Sequence, residues 1–177
     1  LPDEARLVLI STYGVEHLVA SPQQVLALAA MREASPGYQI EPLNTIWIAG
    51  AFTSTEAIKR VQTSLCRNII MGYASTEGAL VAFATHEMIA NIPDAVGFVG
   101  PWVNLEIVDD AGHQVAAGAE GRIRYRTPFF VKNHLANNPD SKADPRDLWY
   151  YPGDLGYVTE NGVLCVRGRG DDVINCG

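Results

Sequence analysis

The sequence predicts a mixed α/β fold, in which a doubly wound half of parallel β-α-β units precedes a small antiparallel β subdomain. Short apolar strand patterns alternate with helical patterns through the first half of the chain, the order typical of parallel sheets with right-handed crossovers. From about residue 96, turn residues and period-two alternation take over, which indicates antiparallel strands. Hydrophobic residues make up 47% of the 177 positions, enough to bury a core.

Caps and helix breakers mark the first elements. A helix is expected to open at Pro2-Asp3-Glu4 and to stop at Gly14, because proline and acids suit a first turn and glycine a helix end. A strand over 15–20 follows. Ser21-Pro22 then caps and starts a helix that runs to about Ala34.

The next two strands end in small or polar residues. A strand over 45–48 leads to Gly50-Ala51, and a strand over 68–71 leads to Gly72-Tyr73. Between them, Thr53 and Glu56 predict the capping box of a third helix. Ligands of parallel sheets bind beyond the carboxyl ends of the strands, so a binding site is expected there.

The second half is predicted as a partial barrel. Strands are expected over 103–108, 121–126, 156–158 and 163–167, and Asn161-Gly162 is a strong hairpin signal between the last two. A long polar surface loop covers about 132–147. The predicted domains are therefore 1–95, 96–168 and a terminal segment 169–177.

Charge and cysteine content exclude several classes of function. Thirteen Lys and Arg against 20 Asp and Glu give a net charge of −7, which argues against binding to nucleic acid or anionic membranes. No apolar run is long enough to span a bilayer. Cys66, Cys165 and Cys176 are far apart, so neither a disulfide framework nor a zinc site is expected, and a reducing cytoplasm fits.

Three segments carry residues suited to nucleotide chemistry. Tyr73-Ala74-Ser75-Thr76-Glu77-Gly78 follows a buried strand, and its hydroxyl and carboxylate suit a phosphate oxygen and Mg²⁺; the alternative is an ordinary helix start. In the segment 149–156, Asp154 lies between glycines and suits a ribose diol, or belongs to a plain polar turn. In 166–172, arginines end a strand and acids follow glycine, which suggests a mobile junction.

Taken together and in this order, these segments resemble the adenylate-forming superfamily, which includes acyl-CoA synthetases, luciferases and peptide-synthetase adenylation domains. The family's Tyr-Gly-x-Thr-Glu matches 73–77, its Thr-Gly-Asp-Leu-Gly matches 152–156, and its Gly-Arg-x-x-Asp matches 168–172. Gly50-Ala51 is similar to a glycine-rich segment of the family, and Gly118-x-Glu120-Gly121 also fits. The resemblance covers essentially the whole chain.

The resemblance implies ATP, AMP and Mg²⁺ as ligands, with a carboxylic acid and CoA, or a carrier protein, as substrates. It implies that Asp154 and Arg169 bind the ribose, that Thr76 contacts a phosphate and that Glu77 holds Mg²⁺. It places Asp171 at a hinge to a small C-terminal domain. The remaining implied positions border the adenine or the acyl pocket: Gly50, Ala51, Gly72 and Tyr73 for the adenine, and Gly78 and Ala79 for the pocket.

Two motif positions and two larger features depart from the family pattern. Ala74 stands where the family has glycine, and Pro152 where it has threonine. The family's phosphate loop and its C-terminal catalytic lysine are absent. The chain is therefore expected to be an inactive fragment of a longer ligase; the alternative is a non-catalytic nucleotide-binding or interaction module. The low charged content of 19% fits a face that packs against the missing parts.

Three arginines alternate along one predicted strand. Arg122, Arg124 and Arg126 fall on one face of it. That face is solvated, paired with acids, or in contact with a CoA phosphate or a carrier protein. Trp149 is the tryptophan expected to have a role beside Asp154.

Overall fold

The computed structural model describes residues 3–34, 43–51, 53–130 and 148–170. The chain divides into two compact units. The first comprises Leu1–Gly72 and Ala84–Pro93, and the second comprises Tyr73–Phe83 and Asp94–Gly177. One boundary falls inside a strand, directly before the tyrosine of the first predicted nucleotide motif.

The first unit is a parallel β-α-β arrangement. Its strands pair in the order β1-β2-β3 and are all parallel, with His17 opposite Thr45 and Ile46 opposite Ile69. The elements are α1 (Asp3–Thr12), β1 (His17–Ala20), α2 (Pro22–Ala34), β2 (Thr45–Ala49), α3 (Thr55–Ser64), β3 (Ile69–Ser75, of which 69–72 belong here) and α4 (His86–Ile89). This confirms the predicted parallel half.

Apolar residues spaced along the helices and strands form the core of the first unit. The fully buried side chains include Val25 in α2, Ile46 and Ile48 in β2, and Val61 in α3. Alternation of buried and half-buried residues along β2 matches a strand covered on both faces. Burial of each such side chain contributes about 1.5–3 kcal/mol.

The helix ends follow the predicted chemistry with one correction. Gly14 has φ +59° after α1, and Ser21 and Gln24 cap each other's backbone at the start of α2. The predicted capping box at Thr53 is wrong. Ser54 is the N-cap of α3 and accepts from the Ala57 amide at 3.2 Å, whereas the Thr53 hydroxyl donates to the Ala51 carbonyl.

The second unit is an antiparallel sheet that continues from the end of β3. Its strands follow the order β4-β5-β9-β8-β7-β6, and the described pairs from β4 to β6 are antiparallel. In the sheet β4 pairs onward with β3 and β6 is an edge strand, so the sheet is open and the partial barrel is not closed. The strands are β4 (Ala79–Thr85), β5 (Ala95–Val99), β6 (Asn104–Val108), β7 (Gly121–Arg126), β8 (Asp154–Val158) and β9 (Val163–Arg169).

The core of the second unit is centred on β7. Ile123 and Tyr125 are fully buried and pack with Val81 of β4 and with Leu164 and Val166 of β9. The three arginines of β7 alternate with these residues, and none of them is fully buried. The hairpin predicted at Asn161-Gly162 joins β8 and β9, and Gly162 has φ +79°.

Among the residues that the structure describes, each unit holds one buried free thiol, Cys66 in the first and Cys165 in the second. No helix within the described ranges is long and apolar enough to cross a membrane. The predicted loop over 132–147 and the predicted hinge residue Asp171 lie outside the described residues.

Candidate functional site

Tyr73 and Asp154 meet in the second unit. Tyr73 lies in β3 and Asp154 is the first residue of β8, and the Tyr73 hydroxyl donates to Asp154 Oδ2 at 2.5 Å. Burial, reinforced by this bond, raises the pKa of Tyr73 far above its usual value, so the phenol stays a neutral donor. A carboxylate has lone pairs for further donors, so Asp154 is fixed in place while it retains capacity to accept.

Arg169 lies opposite Asp154 in the pair formed by β8 and β9. Gly153, directly before Asp154, has φ +88°, and its carbonyl accepts from the Gly170 amide at 2.8 Å. A Cβ at position 153 would lie 3.1 Å from Arg169 Nη2. Glycine at 153 therefore permits both the left-handed turn and the close approach of the guanidinium.

A three-residue turn, 76–78, connects β3 to β4. Thr76 is exposed, Glu77 is half-buried and Gly78 is buried. The Ser75 hydroxyl accepts from the Gly78 amide at 3.0 Å and lies 2.7 Å from the Tyr125 hydroxyl. The turn therefore presents the Thr76 and Glu77 side chains between two anchored ends.

Tyr150 provides the hydrogen-bond partner of Glu77. Burial and, second, the hydrogen bond to the Glu77 carboxylate raise the pKa of Tyr150 to about 12. The backbone groups of Tyr150 bond in both directions to those of Tyr125, at 3.0 and 2.9 Å. Strand β7 thus holds Tyr150 in register, and Tyr150 in turn orients Glu77.

The remaining predicted site residues are placed as follows. Gly50, with φ +96°, and Ala51 form an exposed bend after β2, in the first unit. Gly72 lies in β3 opposite Ala49. Ala79 begins β4 with a left-handed φ of +59°. The two motif departures are accommodated, since Ala74 is exposed and Pro152 is half-buried.

Sequence reasoning did not assign a site role to Ser75, Tyr125 or Tyr150. One signal was available for Tyr125: it occupies an inward position of an alternating strand, and a buried tyrosine hydroxyl needs a partner. The partner itself is distant in sequence and follows only from strand order, because β7 and β3 are separated by 45 residues or more.

The arginine face of β7 is internally paired. Arg124 contacts Glu106 at 2.5 Å and Arg122 lies 3.8 Å from Asp110. Arg124 and Arg126 also lie over the Trp149 ring, at 4.5 and 4.7 Å from its centre. Trp149 therefore packs under arginines, and two of the three arginines have acidic neighbours.

A magnesium site here would rest on one protein carboxylate. Within the described ranges, no cluster of three or more His, Cys, Asp or Glu residues is suited to hold a metal ion. Mg²⁺ in nucleotide enzymes commonly binds one or two carboxylates together with substrate phosphates and water. The half-buried Glu77 fits that donor set.

Sequence comparison gives a consistent group of relatives. A family model described as AMP-binding enzyme matches residues 1–134. The chain is 30% identical to 4-chlorobenzoate–CoA ligase of Arthrobacter sp, covering 95% of this chain and 32% of that protein. It is also 30% identical to mitochondrial acyl-coenzyme A synthetase ACSM3 of Rattus norvegicus, and this match covers 77% of this chain and 24% of that protein. D-alanine–D-alanyl carrier protein ligase of Lacticaseibacillus casei is 32% identical to the chain over a match that covers 67% of this chain and 24% of that protein.

Solved structures share the fold. Amide bond synthetase McbA of Marinactinospora thermotolerans superposes with a TM-score of 0.79 at 24% identity, covering 98% of this chain and 35% of that one. O-succinylbenzoate coenzyme A synthetase of Bacillus subtilis, in complex with ATP and magnesium ion, gives a TM-score of 0.76 at 20% identity. That match covers 100% of this chain and 36% of the synthetase. The chain spans about a quarter to a third of the length of the relatives it matches.

Proposed function

Because this chain belongs to the family of AMP-binding enzymes, we propose that it is part of a ligase that activates a carboxylic acid with ATP. The carboxylate oxygen forms a bond to the α-phosphorus while the bond to pyrophosphate breaks. The thiol of CoA then attacks the acyl carbon of acyl-AMP, and AMP leaves. The observation that carries this proposal is the Tyr73–Asp154 hydrogen bond, directly beside the Thr76-Glu77 turn in the same unit.

Nucleoside binding is assigned to residues around this bond. Asp154 accepts from the ribose hydroxyls with the lone pairs that Tyr73 leaves available, and Arg169, opposite it in the sheet, contributes a second ribose contact. The adenine-contacting roles of Gly50, Ala51, Gly72 and Tyr73 stay predictions from the sequence motifs. Charge-assisted hydrogen bonds of this kind contribute about 1.5–3 kcal/mol each.

Phosphate handling is assigned to the turn. Thr76 contacts a phosphate oxygen and Glu77 is the protein ligand for Mg²⁺. When bound, Mg²⁺ would neutralise the negative charge that builds up on the phosphates as pyrophosphate leaves. The chain's own contribution is placement, because Ser75 and Gly78 hold the ends of the turn and Tyr150 orients the Glu77 carboxylate.

The acid and the acceptor are proposed at the level of class. Gly78 and Ala79 form a small, apolar rim of an acyl pocket for a fatty or aromatic acid. CoA is the proposed acceptor, as in the names of the CoA ligases among the relatives, and a carrier protein is the second candidate, as in the name of the D-alanyl ligase. Asp171 is proposed as the hinge, and the free thiols fit a reducing cytoplasm.

The test is ATP–pyrophosphate exchange by the full-length parent over a panel of fatty and aromatic acids. We expect exchange with at least one acid, and expect none from the 177-residue chain alone, because further phosphate contacts and a catalytic lysine are expected from the rest of the ligase. Absence of exchange by the parent with every acid, together with retained ATP binding, would favour the nucleotide-binding module. Exchange by the chain alone at the parent's rate would overturn its expected inactivity.

A further inference from the structure

We propose that Tyr125 is a positioning residue for the 76–78 turn and that it acts through the hydroxyl of Ser75. This inference deepens the function proposed above and rests on it, because the turn carries the Thr76 and Glu77 side chains assigned to phosphate and Mg²⁺. Tyr125 itself lies on β7, its ring lies against Gly78, and its hydroxyl acts on the turn through Ser75.

The first support is a chain of two hydrogen bonds. The Tyr125 hydroxyl lies 2.7 Å from Ser75 Oγ, and the same Oγ accepts from the Gly78 amide at 3.0 Å. Ser75 is the last residue of β3 and Gly78 the last residue of the turn. One phenol on β7 is therefore linked to both ends of the turn.

The second support is steric. A Cβ at position 78 would lie 2.6 Å from Tyr125 Cε2, 2.8 Å from its hydroxyl oxygen and 3.0 Å from Phe130. The ring therefore lies directly against the backbone of Gly78, and only glycine fits there without a shift. The next residue, Ala79, has φ +59°, a conformation that a non-glycine residue adopts only where its surroundings enforce it.

The third support is that the Tyr125 ring is itself fixed. Its side chain is fully buried, stacked on Phe130 with centres 5.7 Å apart and edge-on to Tyr150 at 5.4 Å. Tyr150 also shares two backbone hydrogen bonds with Tyr125 and bonds to the Glu77 carboxylate. A fixed platform of this kind matters because charged groups catalyse effectively only when they are held in place before reaction.

The kinetic test uses Tyr125→Phe in the parent enzyme, a change that removes the hydroxyl and keeps the ring. We expect kcat for pyrophosphate release to fall about tenfold, with KM for the carboxylic acid changed by less than about twofold. Tyr157→Phe is the matched control. That tyrosine lies in β8, bonds to Cys165 and is outside the turn, so its variant should retain the wild-type rate.

A double-mutant cycle tests the route through Ser75. Because Tyr125 acts through the Ser75 hydroxyl, Tyr125→Phe should have no further effect on kcat in a Ser75→Ala background. An equal loss in both backgrounds would overturn the proposal, since Tyr125 would then affect the rate by another route. An unchanged kcat in the single variant would also overturn it.

Amide hydrogen exchange of a peptide over 73–80 provides a readout that needs no activity. Exchange should be about tenfold faster in Tyr125→Phe and unchanged in Tyr157→Phe. Unchanged exchange in the first variant overturns the role of Tyr125. If the wild-type parent releases no pyrophosphate with any acid, the proposed function fails. The amide hydrogen exchange comparison then decides by itself whether Tyr125 positions the turn. Should Tyr125→Phe fail to fold, Ser75→Ala must show the faster exchange instead.

Discussion

Each of the two site carboxylates in the second unit is paired with a tyrosine. Asp154 accepts from Tyr73, and Glu77 accepts from Tyr150. A neutral phenol donates to a carboxylate without neutralising its charge, unlike an arginine. Both carboxylates are therefore held in position while they keep the negative charge needed for a ribose diol or for a cation.

Replacing Glu77 by Gln in the parent enzyme should lower the rate of adenylation about a hundredfold. The amide keeps the shape but loses the charge proposed to hold Mg²⁺, at a cost of about 3 kcal/mol in barrier. The measurement is pyrophosphate release at saturating ATP, with circular dichroism to check folding. Glu160→Gln, at the exposed hairpin between β8 and β9, is the control. A rate within a few-fold of wild type would remove Glu77 from the site.

Replacing Asp154 by Ala should weaken ATP binding more than binding of the carboxylic acid. Two charge-assisted bonds to ribose hydroxyls are lost, each contributing about 1.5–3 kcal/mol. Calorimetry on the parent measures both affinities, and Asp110→Ala, at a fully exposed turn position, is the matched control. Unchanged ATP affinity in Asp154→Ala contradicts the ribose assignment.

At the scale of elements, glycines set how closely the strands of the second unit pair. A Cβ on Gly156 in β8 would lie 2.2 Å from the Cys165 carbonyl oxygen of β9 and 3.0 Å from Ile123 Cδ1 of β7. Backbone atoms cannot move aside as a flexible side chain can. Glycine at 156 is therefore a requirement of the β8–β9 pairing, which contains a register irregularity between Leu155 and Gly156.

Gly156→Ala should therefore destabilise the chain by about 1–3 kcal/mol, as overpacking does elsewhere. Urea unfolding followed by tryptophan fluorescence measures the change. Gly170→Ala is the control, because a Cβ there meets its nearest atom, the Gly153 carbonyl oxygen, at an ordinary 3.5 Å. Equal stability of the two variants would contradict the argument from close approach.

Elements that depend on local chemistry could be predicted from the sequence. The spans of α2 and β7 and the hairpin at Asn161-Gly162 agree with the structure, because a cap, an alternating pattern and a turn dipeptide are local signals. β4 was not predicted. Its sequence, Ala-Leu-Val-Ala-Phe-Ala-Thr, has small residues and no clean alternation, so its pairing with the neighbouring strands β3 and β5 defines it as a strand.

The candidate site shows the same division. Tyr73, Thr76 and Asp154 could be named as candidates in advance because the motifs that contain them are short and contiguous in the sequence, and their site roles remain predictions. The residues that hold them, Tyr125 and Tyr150, were not assigned because their contacts join strands far apart in sequence. Spacing along the chain carries no information about such a contact.

At the scale of the whole molecule, alkaline pH should act mainly on the second unit. Burial is the main cause that raises the pKa of Tyr125 and the pKa of Tyr150, each to about 12. Burial also raises the pKa of Tyr73, and by more. In the unfolded chain these phenols ionise near pH 10. The stability they contribute is fully present below that pH and is lost as the pH rises toward 12, because the unfolded state then releases protons that the folded state keeps.

The urea midpoint of this chain should therefore fall most steeply above about pH 10, where the phenols of the unfolded chain ionise. Tyr125→Phe combined with Tyr150→Phe should flatten that fall. Tyr13→Phe, which changes an exposed tyrosine of the first unit, should leave it unaltered. A fall of equal slope in all three proteins would show that these tyrosines are not its cause.

The buried thiols allow the two units to be observed separately. Cys66 is 7% exposed in the first unit, and Cys165 is fully buried in the second. A thiol reagent modifies a buried cysteine only when the structure around it opens. Timed alkylation followed by peptide mass mapping would therefore give a separate opening rate for each unit from its native cysteine. The alkylation rates of Cys66 and Cys165 thus report the order in which the two units unfold.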